Sequence, residues 1–568
     1  MKPLSLLIAL LFCAQLGQAQ QVGNCKLGSA TTNLDAGDVR AALYNNGGFF
    51  WRGSGNTYTV PKDGIANSIF AAGLWLAGTA PDGTHRFAGT AYGPWEYWPG
   101  PLDANGNPPA DCDDHDRMYS IRDADVRAYE QDGLLSTDLR DWPHHLGAPV
   151  IDGDGIEGNY NLAGGDRPHI YGEQSVWWVM NDVGNEKEYS RTPPMGLEVQ
   201  VHAFASSCLQ LGGTRIPKLD RVVSQTTYYH FTLIHKGQEP LTDFYMGWWT
   251  DGDLGNAADD FVGSDTTLQM GYYYNGEDFD AGLDGYGDQP PAIGFTLVRG
   301  MEVSFDGRDN DQDGVVDEAN ERLPLSNTVY YNSDSSVLGN PTGSTIEPYN
   351  YMRGTWRDGT PVTLGGAGYG GTEPTPFMFP GDPVTRSFWS EVNADGAGSS
   401  NAPADRRFLM SSGPVDLAPG DTTDFILAIV WAQGEDRFDS VRALREATEL
   451  AASVTPNLMS DGPYTCNLAP QPESLAPNAL GYYLLRQNYP EPFSQQTIIR
   501  YEVINTVPVQ LHVYDLLGRR VRTLIDGVQD AGVYDVVFEA GNLPTGTYFY
   551  RLEAAGYVSI TRRMLLHR

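Results

Sequence analysis

Short runs of aromatic and β-branched residues, each cut off by Gly, Pro, Asn or Asp, recur through this chain and restrict it to strands joined by turns. Gly47-Gly-Phe-Phe-Trp51, Ala72-Gly-Leu-Trp-Leu-Ala77 and Tyr92-Gly-Pro-Trp-Glu-Tyr-Trp98 open the series. Ser175-Val-Trp-Trp-Val-Met180, Glu198 to Ala205, Thr226 to His235, Phe244 to Thr250, Ile293 to Val298 and Asp424 to Trp431 continue it, alternating or running apolar at strand length. The 65 Gly, 37 Pro and 31 Tyr residues fit a β-rich, loop-rich exoprotein better than a helical one. Two segments read as helix: Asp123 to Gln131, stopped by Gly133, and Asp439 to Ala452. The second has Asp439 as N-cap and places Val441, Leu444, Ala447 and Ala451 on one face.

The expected fold is therefore mainly β: a multi-domain β-sandwich ectodomain with few short helices, followed by a C-terminal Ig-like seven-stranded β-sandwich. At 568 residues the chain exceeds a single ordinary core. Its segments divide into a signal peptide (1–19), an N-terminal β-rich region (20–172), a central β-sandwich region (173–455), a Pro/Asn/Gly-rich linker (456–483) and a small C-terminal domain (484–568).

Residues 1–19 carry Lys2, an apolar run from Leu4 to Phe12 and the small-residue site Gly17-Gln-Ala19, the pattern of a secretory signal. Phe12 stands where a lipoprotein site before Cys13 wants a small residue. Beyond the signal remain Cys25, Cys112, Cys208 and Cys466, an even set in an oxidising compartment. Two disulfides are expected, in any of three connectivities. The net charge of −35 excludes nucleic acid and anionic lipid as partners and suits divalent cations or salty surroundings. Past the signal, no apolar run reaches the ~18 residues of a membrane span.

The strongest chemical signal is Asp306-Gly-Arg-Asp309-Asn-Asp311-Gln-Asp313-Gly314-Val315-Val-Asp317-Glu318. In calcium-loop order, Asp309, Asp311 and Asp313 fill positions one, three and five, Val315 offers its carbonyl at seven, and Asp317 sits at nine. Like charges about 4 Å apart repel by ~1 kcal/mol even in water, so such a cluster needs a cation. Asn320 occupies position twelve, where an EF-hand has a bidentate Glu, so Glu318 or Glu321 is expected to complete the set. No amphipathic helix flanks the loop, which makes it a structural Ca2+ clamp in a β-context. A second acidic cluster, Asp251, Asp253, Asp259, Asp260 and Asp265, follows the strand ending at Thr250 and offers a weaker metal site or the paired acids of a glycosidase. Asp152 and Asp154 begin a third, poorer loop. His144 and His145 are adjacent; on an extended segment they would point to opposite sides and could not easily share one ion, so a loop or packing role is expected in place of metal binding. Trp95, Tyr97 and Trp98 suit a sandwich core better than a sugar platform. Gly366-Ala-Gly368-Tyr-Gly-Gly371 spells a dinucleotide fingerprint without a βαβ frame around it, and no Walker loop, HExxH or GxSxG occurs.

The C-terminal segment carries Leu485-Arg-Gln-Asn-Tyr489-Pro-Glu-Pro492-Phe493, Val513-Tyr-Asp-Leu-Leu-Gly518-Arg519, Leu543-Pro-Thr-Gly546-Thr-Tyr-Phe-Tyr-Arg551-Leu and Thr561-Arg562-Arg563-Met-Leu-Leu. In that order these motifs resemble the type A C-terminal sorting domain of the type IX (Por) secretion system of Bacteroidota and relatives. Glu491-Pro-Phe-Ser494 departs from the family's usual Asn-Pro-Phe-Asn. The resemblance implies an address read by an outer-membrane translocon, with the cargo released or left on the cell surface. The body resembles an uncharacterised secreted group of the same phyla in Asp141-Trp-Pro to Asn181-Asp182, Thr250 to Asp265, Asp306 to Glu318, Phe377-Met-Phe-Pro-Gly-Asp382 and Ser411-Ser-Gly-Pro414. That second likeness implies no activity.

The sequence thus points to an exported, calcium-stabilised β-rich protein, non-catalytic and adhesive or structural in a matrix, with self-assembly or surface glycan as its contacts. The alternative is a secreted glycan-active enzyme or glycan-binding protein using residues 251–265 beside Trp248, Trp249 and Tyr272 to Tyr274.

Overall fold

The structure is a computed structural model that describes residues 22–567 apart from 52–57, 90, 212, 213, 216, 283, 304–320, 342–344, 461–483, 504, 505, 517, 518, 531 and 555–557. Among the described residues, two nine-stranded sheets carry the body. In the first, Thr31–Leu34, Arg40–Tyr44, Gly48–Phe49, Ala71–Thr79, Leu241–Asp251, Arg406–Leu417 and Asn327–Asn332 lie side by side. The second runs Asp260–Asp265, Met270–Asn275, Ala292–Arg299, Thr422–Ala432, Thr226–His235, Leu197–Ala205, Gln174–Asn181 and Trp98–Pro99. All of the strand pairings are antiparallel.

The two sheets face each other across a core that reaches from Leu34 to Trp431 in the sequence. Aromatic rings bridge it: Trp248 of the first sheet lies 5.9 Å from Tyr229 and 6.1 Å from Phe231 of the second, and Phe408 lies 4.8 Å from Tyr273. Period-two alternation sets the opposite face of the second sheet. Tyr229, Phe231, Phe425, Leu427 and Ile429 point into the sandwich, while Tyr228, Ala428 and Val430 pack on the helix Arg437–Leu458. Both faces of Thr422–Ala432 are covered from Phe425 onward, which is why Phe425 to Ala432 reads as an almost unbroken apolar run, whereas Thr226–His235 alternates buried and half-buried residues in its second half. Gly294 makes room first for Met270, whose Sδ would lie 2.5 Å from a Cβ there, and then for Leu444 of the helix at 3.3 Å.

The helix is longer than the expected Asp439 to Ala452. Its N-cap is Asp436, whose carboxylate accepts from Phe438 N and Asp439 N, both at 2.8 Å, so the first turn starts before Asp439. Val454 and Leu458 extend the buried stripe past Ala452, and Pro456 is accommodated in the last turn. Asp123–Asp132 is helical as read and ends on Gly133 in the left-handed region. His144 and His145 lie in a short 3-10 turn, His144–Leu146, and not on extended chain; their rings are 5.5 Å apart and His144 stacks on Tyr160. Cys25 and Cys112 are disulfide-bonded, and Cys466 lies outside the described residues.

The C-terminal domain is a sandwich of a three-stranded and a four-stranded sheet. Ile499, Tyr501, Val503, Leu511, Val513, Phe538, Tyr548, Tyr550 and Leu552 form its core. Their alternation in the sequence is the alternation seen in the strands.

His202, in the strand Leu197–Ala205, is 4% exposed. Its Nε2 is 2.8 Å from Ser175 Oγ, its ring stacks on Tyr171 at 4.1 Å, and Nδ1 has no partner. Burial, reinforced by His230 and His169, lowers its pKa well below the ordinary value, so it stays neutral in the fold. An unfolded histidine takes up a proton below about pH 6.5, and this drains stability by ~1.4 kcal/mol per pH unit as the pH falls. In urea titrations from pH 7 to pH 5, His202→Gln should therefore lose about 2 kcal/mol less stability than the wild type. Equal losses would contradict the neutral, buried assignment.

Candidate metal centre

Strand register assembles the most charged point of the body. Asp251, the last residue of Leu241–Asp251, pairs directly with Arg407 on the neighbouring strand, and Asp405 precedes Arg407 by two residues on the same side. After Asp251 the chain turns through Gly252, where a Cβ would stand 2.5 Å from the Tyr273 ring. Only glycine lets the backbone pass that ring, whose hydroxyl donates to Thr250 O at 3.0 Å. Asp253 then takes a φ of 40°, in the left-handed region. One carboxylate oxygen each from Asp251, Asp253 and Asp405 lie within 4.8 Å of one another.

Arg407 joins two of the three acids: Nη2 donates to Asp251 Oδ2 at 3.2 Å and Nη1 to Asp405 Oδ1 at 2.5 Å. Its Nε donates to Tyr92 Oη at 2.7 Å, and Tyr92 donates to Asp251 Oδ2 at 2.6 Å. Asp251 is 1% exposed, yet its Oδ1 has no partner. Burial first, then the charge of Asp253, pushes the Asp251 carboxyl up to about 8 against the pull of Arg407. Burial and then Asp405 push Asp253 up to about 6. Three carboxylates facing one guanidinium leave an excess of two negative charges when all are ionised. Two protons or one divalent ion would balance it, and an all-oxygen donor set suits hard cations of the calcium, magnesium and manganese class.

The other sequence candidates are distributed differently. Asp260 is 1% exposed, with Oδ2 accepting from Leu254 N at 3.1 Å and Oδ1 unpartnered; burial raises its pKa well above the carboxylate range. Asp259 accepts from Asn256 Nδ2 at 3.2 Å and is pushed by burial, then by Asp280, to about 6. Asp265 instead pairs with Arg445 Nε at 3.1 Å, and Asp382 takes that guanidinium's Nη1 at 2.8 Å. Asp309, Asp311, Asp313, Val315, Asp317 and Glu318 lie outside the described residues. The chain on either side of them is paired: Val303 N donates to Glu321 O at 2.9 Å, and Glu302 bridges to Arg322. Glu321 itself is buried. Asp152, Asp154 and Asp166 approach one another, but Asp166 is occupied by the amides of Gly153, Asp154 and Asn161.

Asp405 and Arg407 were missed in the sequence reading. Their only signal is a charged triplet, Asp405-Arg-Arg407, at the mouth of an apolar strand. Trp248, Trp249, Tyr272, Tyr273 and Tyr274 are all buried, so none offers a face for a sugar ring. Tyr97 and Trp98 are buried as well. The Ser175–His202 pair has the spacing of a nucleophile and its base, but both residues are closed off from substrate.

Residues 487–567 match the family of secretion system C-terminal sorting domains. The chain therefore carries a type IX sorting domain, which engages the type IX secretion machinery, and it is a secreted or cell-surface protein. No helix among the described residues is long and apolar enough to cross a membrane. No curated protein matches the chain. Among solved structures, a polysaccharide lyase matches at 9% identity and a TM-score of 0.24, covering 74% of this chain and 38% of that one. Dimeric latent PorU from Porphyromonas gingivalis matches at 9% identity and a TM-score of 0.15, covering 74% and 33%. The chain thus spans about a third of either protein, and at these scores neither likeness bears on fold or activity.

Gly252→Ala forces a methyl group onto the Tyr273 ring and should cost about 1–3 kcal/mol, read from the midpoint of urea unfolding. An unshifted midpoint would mean that the ring does not fix the turn carrying Asp251 and Asp253.

Proposed function

We propose that this exported chain is a non-catalytic structural or adhesive protein of the cell exterior, its body stiffened by calcium. One observation carries the reading: a sorting domain follows a body in which the rings expected to face a sugar, Trp248, Trp249 and Tyr272 to Tyr274, and the acids Asp251 and Asp260 beside them are buried in the packing. Sugar-processing sites need the opposite, two carboxyl groups facing a cavity with a ring to hold the pyranose. The calcium part rests on the acid alternation of Asp309, Asp311, Asp313 and Asp317 with Gly314, together with the acids at the end of strand Leu241–Asp251. Weak calcium sites of ~10⁻⁴ to 10⁻³ M stay filled outside cells, so such ions serve as fixed struts. Surface glycan or further copies of the chain are the contacts an adhesive body would make.

Two measurements test this. Cells lacking the chain should attach less to surfaces and to one another in calcium-containing medium, and adding back the wild type should restore attachment. The purified protein should melt at a lower temperature in chelator than in millimolar calcium. Unchanged attachment, together with release of reducing ends from polysaccharide by the purified chain, would favour the glycan-active alternative and contradict the proposal.

A further inference from the structure

We propose that Asp251, Asp253 and Asp405 hold a divalent, oxygen-loving cation of the calcium class, separate from any ion bound by Asp306 to Glu318. The site is built from two strands and a turn and is not contiguous in sequence. Three observations lead to it independently of acidity alone. The first is Asp251 Oδ1, an oxygen on a side chain 1% exposed that has no hydrogen-bond partner although Oδ2 has two. A buried carboxylate oxygen left bare is costly, and a cation is a partner of the right sign.

The second is the geometry, with one oxygen from each acid inside 4.8 Å of the others. That spacing is within the span of oxygens that share one ion at about 2.3–2.6 Å each. The third is charge. Arg407 answers one of the three carboxylates, and a dication answers the remaining two. Asp253 and Asp405 are only partly buried, so an ion entering from that side keeps some of its water.

The neighbouring acids show why this group and no other is assigned. Asp166 spends its oxygens on three backbone amides, and Asp280 holds the amides of Asn256 and Tyr286 at 3.1 and 2.7 Å. Asp265 shares the Arg445 guanidinium with Asp382. Asp260 is also buried with a bare oxygen, but among the described residues it belongs to no group of three acids whose oxygens converge within 4.8 Å, whereas Asp251 does. The ion would tie the end of the first sheet's central strand to the start of the strand Arg406–Leu417, across the register pair Asp251–Arg407.

The inference rests on the calcium part of the reading above, which draws on the same strand-end acids, and the test separates this site from the one at Asp306 to Glu318. Full-length protein is stripped with chelator and titrated with calcium by calorimetry. Terbium is then titrated, with luminescence sensitised through Tyr92, whose hydroxyl lies 2.6 Å from Asp251 Oδ2. The variants Asp253→Asn/Asp405→Asn and Asp311→Asn/Asp313→Asn are compared. In the first, one binding event should disappear or weaken by about tenfold or more, and the Tyr92-sensitised signal should fall with it. In the second, that event and the signal should persist.

If the first variant binds as many ions as the wild type with the same affinity, this site is refuted even where the second variant loses an ion. Absence of binding by the wild type at millimolar calcium overturns it too. If the double variant fails to fold, the single variant Asp405→Asn, at a partly exposed position, is read by the same criteria.

Discussion

The middle of the second sheet is buried on both sides, by the first sheet on one face and by the helix Arg437–Leu458 on the other, and much of the architecture follows from that. A strand covered twice must be apolar at nearly every position, and every polar backbone group must be used in the ladder. Alternation assigns Phe425, Leu427 and Ile429 to the aromatic interior and Ala428 and Val430 to the helix. The small residue Ala428 lies on the helix side, and on the opposite face Phe231 meets Trp248 of the first sheet. Because the core draws on strands from both ends of the body, the chain between Leu34 and Trp431 is held by contacts distant in sequence.

Such a core leaves charge at strand ends as the unsolved part of the design. Where Arg406 and Arg407 open their strand, they point to opposite faces. Arg406 meets Glu391, itself 0% exposed, with Nε to Oε1 at 3.1 Å, whereas Arg407 meets Asp251, Asp405 and Tyr92. The Glu391 pair is closed, with Asn401 adding a donor at 2.7 Å. The group at Asp251 sets three carboxylates against one guanidinium, and a bare oxygen remains there. Two arginines adjacent in the chain thus end in sites of opposite character, one balanced and one carrying surplus negative charge.

Much of the fold was legible in the residues. The strand runs, the helix from Asp123, the position of the long helix and the tail's alternating core all follow from periodicities of 2 and 3.6. The helix start was misplaced because Asp436 and Asp439 are both acceptable caps by type, and only backbone geometry chooses between them. The loop or packing role expected of His144 and His145 is met by a 3-10 turn in which His144 stacks on Tyr160. The acid cluster was legible only in part. Asp251 and Asp253 stand next to each other, but their third companion lies 152 positions further on and is delivered by cross-strand register. Single-sequence reading has no access to register between distant strands, and it had grouped Asp265 with them although Arg445 claims that residue. The tail's motifs were specific enough to identify the export route before any coordinates.

Crystals of the full chain grown in calcium, with diffraction collected at a wavelength where calcium scatters anomalously, put the central idea to its most direct test. The account predicts an anomalous peak bounded by Asp251, Asp253 and Asp405, with oxygen distances of about 2.3–2.6 Å and Asp251 Oδ1 turned toward it. A featureless map there, with Asp251 Oδ1 within hydrogen-bonding distance of a neighbouring carboxyl group, would show that shared protons balance the charge and would contradict the account.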